Sequence, residues 1–137
     1  MMPSGKMRAG RGLHILLVED EQLIAELFAE TLTTDGHDVA VAGDGQEALD
    51  LFAEAEALGR PYDIVVTDVR MPRMDGVALT RRLRAAHPQL PVVVVSGYAS
   101  PEQLSGLSGS ESGPLVLLPK PVSLSRLRTA VRGATRH

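Results

Sequence analysis

The chain has no cysteine and no tryptophan, and Phe28, Phe52, Tyr62 and Tyr98 are its only aromatic side chains. Without cysteine there is no disulfide framework, no thiolate metal site and no cysteine nucleophile, which suits a reducing compartment. Long apolar runs are also missing. The strongest, Ile15 to Val18 and Leu90 to Val95, fall far short of the roughly 20 residues that span a bilayer. The first twelve residues carry Lys6, Arg8 and Arg11 with no apolar stretch behind them, so they are not a secretory signal. They read as a disordered basic tail over residues 1–12. Cationic side chains are absent from Leu13 to Gly59, and the body from Leu13 onward carries a net −6. Its arginines gather late, at Arg81, Arg82 and Arg84 and at Arg126, Arg128, Arg132 and Arg136, and read as solvated helix faces. A nucleic-acid surface wants a basic domain with stacking aromatics, so direct DNA or RNA binding is not expected.

What remains is 137 residues with 44% hydrophobic and 23% charged side chains, the profile of one globular domain able to bury roughly two-thirds of its unfolded surface. Short apolar runs alternate with helical patterns. His14 to Val18 reads as a strand buried on both faces. Leu23, Ile24, Leu27, Phe28 and Leu32 then recur at helical spacing, with Gly36 as the left-handed cap. Val39 to Ala42 is a second strand. Asp44 caps a helix through Ala48, Leu49, Phe52 and Leu58, closed by Gly59 and Pro61. Ile64 to Thr67 is a third strand ending at Asp68, and Gly76 to His87 a third helix. Leu90 to Val95 is a fourth strand running into Ser96 and Gly97. The segment from Ser100 to Pro114 is rich in Gly and Ser, with a turn or two of helix at most. Leu115 to Leu118 is the fifth strand, and Ser123 caps a last helix through Leu124, Leu127 and Val131.

Five apolar strands separated by helices mean right-handed crossovers and a parallel sheet covered on both faces, an α/β three-layer sandwich. In such folds the site lies beyond the carboxyl ends of the strands. Glu19, Asp20 and Glu21 follow the first strand, Asp68 the third, Ser96 the fourth and Lys120 the fifth. Each has an ordinary explanation when taken alone: acids favour a helix N-terminus, and Asp, Ser and Lys are common in turns. Their joint placement at four strand ends points to a site. Carboxylates crowded there repel unless a cation compensates, and hard oxygen ligands without His or Cys suit Mg²⁺. A neighbouring ammonium and hydroxyl can grip the oxygens of a transferring phosphoryl group.

The stretches Val18-Glu19-Asp20-Glu21, Asp68-Val69-Arg70-Met71-Pro72-Arg73-Met74-Asp75-Gly76, Val95-Ser96-Gly97 and Lys120-Pro121 resemble the receiver domain of bacterial two-component response regulators. The resemblance runs from Leu13 to the end, giving a receiver domain over 13–137. It implies a flavodoxin-like sandwich with strand order 2-1-3-4-5 and a cis Lys120–Pro121 peptide. By resemblance, Asp68 is the phosphoacceptor, taking its phosphoryl group from a histidine kinase or a histidine phosphotransfer protein. Glu19 and Asp20 would hold Mg²⁺ with Asp68 and the backbone carbonyl of Arg70, Asp20 directly and Glu19 through water. Ser96 would hydrogen-bond the phosphoryl group, Lys120 would pair with Asp68 and then with the phosphate, and Arg70 and Tyr98 would tune how long the phosphate survives. Leu23, Ile24 and Leu27 would form the docking rim for the kinase side. The expected protein is a cytoplasmic, single-domain regulator that catalyses only its own phosphorylation and dephosphorylation and signals to a further protein by contact.

Two departures stand out. The position three before Lys120, usually Tyr or Phe in receivers, is Leu117, which offers neither ring nor hydroxyl. The Gly- and Ser-rich stretch from Ser105 to Gly113 replaces most of the helix expected between the fourth and fifth strands, leaving it short or disordered. Other functions stay open. A Mg²⁺-dependent phosphatase of the haloacid dehalogenase type also uses an Asp after a strand, but wants a second acid where this chain has Arg70. A nucleotide or flavin binder would want a Gly- or Ser-rich loop where Glu19-Asp20-Glu21 repels phosphate. A receiver-like adaptor that no longer accepts phosphate is the third.

Overall fold

The computed structural model describes residues 12–71, 74–97 and 113–135. Along these the chain forms β1 (His14–Val18), α1 (Gln22–Thr34), β2 (Asp38–Ala42), α2 (Gly45–Ala57), β3 (Ile64–Asp68), α3 (Gly76–Ala86), β4 (Val92–Ser96), β5 (Leu115–Pro119) and α4 (Leu124–Ala134). The five strands make one parallel sheet in the order β2-β1-β3-β4-β5. This is the order the resemblance implies. The weakened helix expected between Ser100 and Pro114 lies, apart from Gly113 and Pro114, outside the described residues, as do Tyr98 and the tail up to Arg11.

The sheet separates two apolar layers because successive strand residues point to opposite faces. Leu16, Val18, Val65, Val92 and Val94 pack with Phe52, Leu79 and Leu83 under α2 and α3. Ile15, Leu17, Ile64, Val66, Val93 and Val95 pack with Phe28, Leu32, Leu127 and Val131 under α1 and α4. Burying each of these large side chains stabilises the fold by about 1.5–3 kcal/mol relative to exposure. All residues of the central strands β3 and β4 are buried, hence their near-continuous valine and isoleucine.

Local chemistry sets the ends of the elements. Asp44 accepts from the Glu47 amide at 2.9 Å while Glu47 accepts from the Gly43 amide at 2.7 Å, a reciprocal cap at the start of α2. Asp75 and Ser123 cap α3 and α4 through the amides of Ala78 and Arg126. Gly36 closes α1 at φ 95° and Gly59 follows α2 at φ 75°, a left-handed backbone that costs glycine little.

Several expectations are corrected. Leu23 is 80% exposed and Leu27 47%, so the buried stripe of α1 is Ala25, Phe28 and Leu32. Leu58 lies past the last turn of α2 and faces water. The fourth strand starts at Val92 rather than Leu90, because Pro91 has no amide hydrogen to give the ladder. Val92 is the first donor, to the Pro114 carbonyl at 3.0 Å. Arg84 is not on a solvated face. It is buried, and its guanidinium donates to the carbonyls of Leu90, Gly113 and Pro114 at 2.9, 3.1 and 2.7 Å, tying α3 to the starts of β4 and β5. Arg128 is exposed but engaged, gripping Asp35 in the turn after α1 with two bonds of 2.7 and 2.8 Å.

Buried His37 completes the frame, its Nδ1 accepting from the Leu13 amide at 3.0 Å. Burial holds its pKa below the ordinary 6.5; Arg132 pushes the same way and Asp35 opposes. A histidine kept neutral in the fold but free to protonate when unfolded gives stability that is complete above the unfolded pKa and is lost as pH falls through it. His37's own share of the urea midpoint should therefore drop between about pH 7 and about pH 5.5, while Glu19, raised to about 7, works in the opposite sense over the same range. His37→Asn keeps an acceptor without a titrating ring, so the wild-type midpoint should fall relative to that of the variant as pH is lowered. A constant difference between the two midpoints over this range would show that His37 does not contribute.

Candidate functional site

The topology brings the charged residues together. β1 lies beside β3, with Val18 in register with Thr67, so Glu19 and Asp20 leave β1 next to Asp68. β4 lies between β3 and β5, with Asp68 opposite Val95 and Ser96 opposite Pro119. A side chain from the end of β5 that reaches Asp68 must therefore cross the end of β4, where Ser96 sits. Lys120 does this, its Nζ donating to Asp68 Oδ2 at 3.0 Å. The Lys120 amide donates to the Ser96 carbonyl at 3.0 Å, and the Lys120–Pro121 peptide is cis.

One oxygen from each of Glu19, Asp20 and Asp68 can lie within 4.8 Å of the others, close enough to hold a metal ion between them. Glu19 and Asp68 are buried, 3% and 5% exposed, whereas Asp20 opens to solvent. Asp68 Oδ1 accepts from the Val69 amide at 2.9 Å, which leaves Oδ2 for Lys120. Glu19 Oε2 accepts from the Glu21 amide at 3.1 Å.

Burial pushes the Glu19 carboxyl up to about 7. The Glu21 amide and the Lys120 charge pull it down, while Asp68 and Asp20 raise it further. Burial alone would lower the Lys120 pKa, but its hydrogen bond to Asp68 and the charges of Asp68, Glu19 and Glu21 outweigh that and hold it above its usual value. One ammonium thus faces more negative charge than it can neutralise. The donor set fits a hard divalent cation, being all oxygen and partly open to water on the Asp20 side.

The groups open into a cleft of about 560 Å³ lined by Asp68, Arg70, Ser96, Gly97 and Lys120, with Ile24, Leu27, Phe28, Pro121 and Val122 as an apolar floor. Ser96 is buried and Arg70 is exposed. Of the rim expected on α1, Ile24 and Leu27 line the cleft and Leu23 projects into solvent. Leu117 is 46% exposed on β5, and Tyr98 lies outside the described residues. Two residues without an expected role prove to touch Asp68. The hydroxyl of fully buried Thr67 donates to the Asp68 carbonyl at 2.9 Å. Gly76, the first residue of α3, packs so closely that a Cβ there would meet this carbonyl oxygen at 2.0 Å. A polar residue at the end of an apolar run was the available signal for Thr67, and the Asp-Gly pair signalled only a turn.

Comparison with known proteins places this architecture. The family model for the response regulator receiver domain matches residues 15–132. The chain is 42% identical over 118 residues to the sensor kinase CckA of Brucella abortus, covering 86% of this chain and 12% of that protein. It is 38% identical over 126 residues to the response regulator MprA of Mycolicibacterium vanbaalenii, covering 91% of this chain and 51% of MprA. The crystal structure of a response regulator receiver domain protein from Clostridium thermocellum matches with a TM-score of 0.76 at 28% identity, over 90% of this chain and 94% of that one. The chain therefore belongs to the response regulator receiver domain family, the receiving modules of two-component phosphorelay signalling. It spans about half the length of MprA and a far smaller part of CckA.

The contact at Gly76 yields a direct expectation. Gly76→Ala forces α3 away from Asp68 and should cost about 1–3 kcal/mol. Urea unfolding of the two proteins measures the loss, and an unchanged midpoint would mean that α3 does not sit where the fold puts it.

Proposed function

We propose that Asp68 accepts a phosphoryl group from a phosphohistidine on a histidine kinase or histidine phosphotransfer protein, with Mg²⁺ as cofactor. The observation that carries this reading is the 3.0 Å bond from Lys120 to an Asp68 carboxylate flanked by the Glu19 and Asp20 oxygens. Oδ1 of Asp68 is tied to the Val69 amide, so the carboxylate is held at a fixed tilt and Oδ2 is the oxygen directed at the cleft. In the transfer, a carboxylate oxygen forms the new bond to phosphorus as the donor's nitrogen–phosphorus bond breaks, and the leaving imidazole takes up a proton. Lys120 then exchanges its carboxylate partner for a phosphoryl oxygen, and the Ser96 hydroxyl donates to another.

Glu19, Asp20, Asp68 and the backbone carbonyl of Arg70 are the residues that would hold the cation. A bound Mg²⁺ would supply positive charge that offsets both the carboxylates and the charge on the transferring group. Glu19 has its own part to play: buried and raised to about 7, it is ready to lose its proton when positive charge arrives. The apolar floor of Ile24, Leu27 and Phe28 suits the surface of the donor protein. The chain would catalyse only its own phosphorylation and dephosphorylation, act in the cytoplasm and pass its signal by protein contact. No helix among the described residues is long and apolar enough to cross a membrane.

Incubation with acetyl phosphate and Mg²⁺, followed by intact mass, tests the reading. The wild type should gain one phosphoryl group, Asp68→Asn none, and EDTA should abolish the gain. Asp20→Asn should slow it by roughly tenfold or more, as expected for loss of a metal-binding carboxylate. Equal gain in the wild type and Asp68→Asn would reject the assignment.

A further inference from the structure

Thr67 is fully buried in the layer beneath α2 and α3, and its register neighbours are Val18 and Val94. A hydroxyl in an apolar layer costs desolvation unless it is bonded, and a valine of nearly the same shape would avoid that cost. Threonine is justified here only by what its hydroxyl bonds. The hydroxyl is spent on the Asp68 carbonyl, at 2.9 Å. That carbonyl belongs to the Asp68–Val69 peptide, whose amide donates to Asp68 Oδ1 at 2.9 Å and to the Val95 carbonyl at 3.2 Å. Because the peptide unit is planar, a donor fixed on its carbonyl edge restrains the amide edge as well. Gly76 packs against the same carbonyl oxygen, and Thr80, one turn into α3, donates to the Gly76 carbonyl at 2.7 Å. The peptide that orients the carboxylate is thus held from its far side by Thr67 and the first turn of α3.

We propose that Thr67 is a positioning residue for phosphoryl transfer at Asp68: its hydroxyl locks the Asp68–Val69 peptide so that Oδ1 stays on the Val69 amide and Oδ2 faces Lys120 and the cleft. The proposal rests on the reading of Asp68 as phosphoacceptor. It makes Thr67 a determinant of rate beyond its share in the fold, and it applies equally to phosphorylation and to hydrolysis of the acyl phosphate, since both require the carboxyl group in the same orientation.

The test compares the wild type, Thr67→Val and Thr67→Ser as full chains, with acetyl phosphate and Mg²⁺. Initial rates come from quenched intact-mass samples and stability from urea midpoints. Thr67→Val takes this donor from the buried Asp68 carbonyl, so its midpoint should fall modestly, and the fully folded variant without urea should be phosphorylated about tenfold more slowly, the rate equivalent of one lost hydrogen bond. Its acyl phosphate should also hydrolyse more slowly. Thr67→Ser, which restores the hydroxyl without the methyl, should recover the wild-type rate to within about twofold. Should Thr67→Val fail to fold, Thr67→Ala against Thr67→Ser makes the same comparison. A wild-type rate in Thr67→Val, or a Thr67→Ser as slow as Thr67→Val, overturns the proposal while leaving Asp68 as phosphoacceptor. A wild type that gains no phosphoryl group overturns both.

Discussion

The bond from Lys120 to Asp68 is the constraint around which the carboxyl edge of the sheet is arranged. It joins the ends of β5 and β3 across β4, and it sets a positive charge at a corner where three carboxylates converge. Charges this near, and this shielded from water, interact far more strongly than at the surface. Burial above all, with the charges of Asp68 and Asp20 adding to it, pushes the Glu19 carboxyl up to about 7. The corner is poised for added positive charge, which is the property a phosphoryl-accepting site needs.

Such a corner subtracts from stability, and the remainder of the fold offsets it. Two apolar layers pinned to five-residue strands supply the burial, and the polar ties are placed where they hold strand ends in register. Arg84 gathers the carbonyls at the starts of β4 and β5, and Arg128 fixes the end of α1 to α4. The strands are therefore tied by side chains at the edge opposite the site as well as at the site itself.

Much of this was legible in the residues. Strand identity followed from apolar runs, helix starts from Asp44 and Ser123, and helix ends from Gly36 and Gly59, because each rests on chemistry within a few residues. The gathering of Glu19, Asp20, Asp68, Ser96 and Lys120 followed from a rule about parallel sheets rather than from any local signal. What periodicity could not supply was which side of a helix finds a neighbour. Leu23 and Leu27 fit the apolar spacing of α1 as well as Phe28 does, yet only Phe28 lies over the sheet. Arg84 read as a surface charge because its carbonyl partners lie up to thirty residues away in sequence. The tie from Thr67 to its neighbour's carbonyl depends on backbone geometry that no spacing reveals.

The central claim is that this one corner makes Asp68, and no other acid, the acceptor. Borohydride reduction of the phosphorylated protein converts an acyl-phosphate aspartate to homoserine, which peptide sequencing by mass spectrometry then locates. The account predicts homoserine at position 68 alone. Homoserine at Asp20 or any other aspartate, or 5-hydroxynorvaline in place of a glutamate, with Asp68 intact, would contradict it.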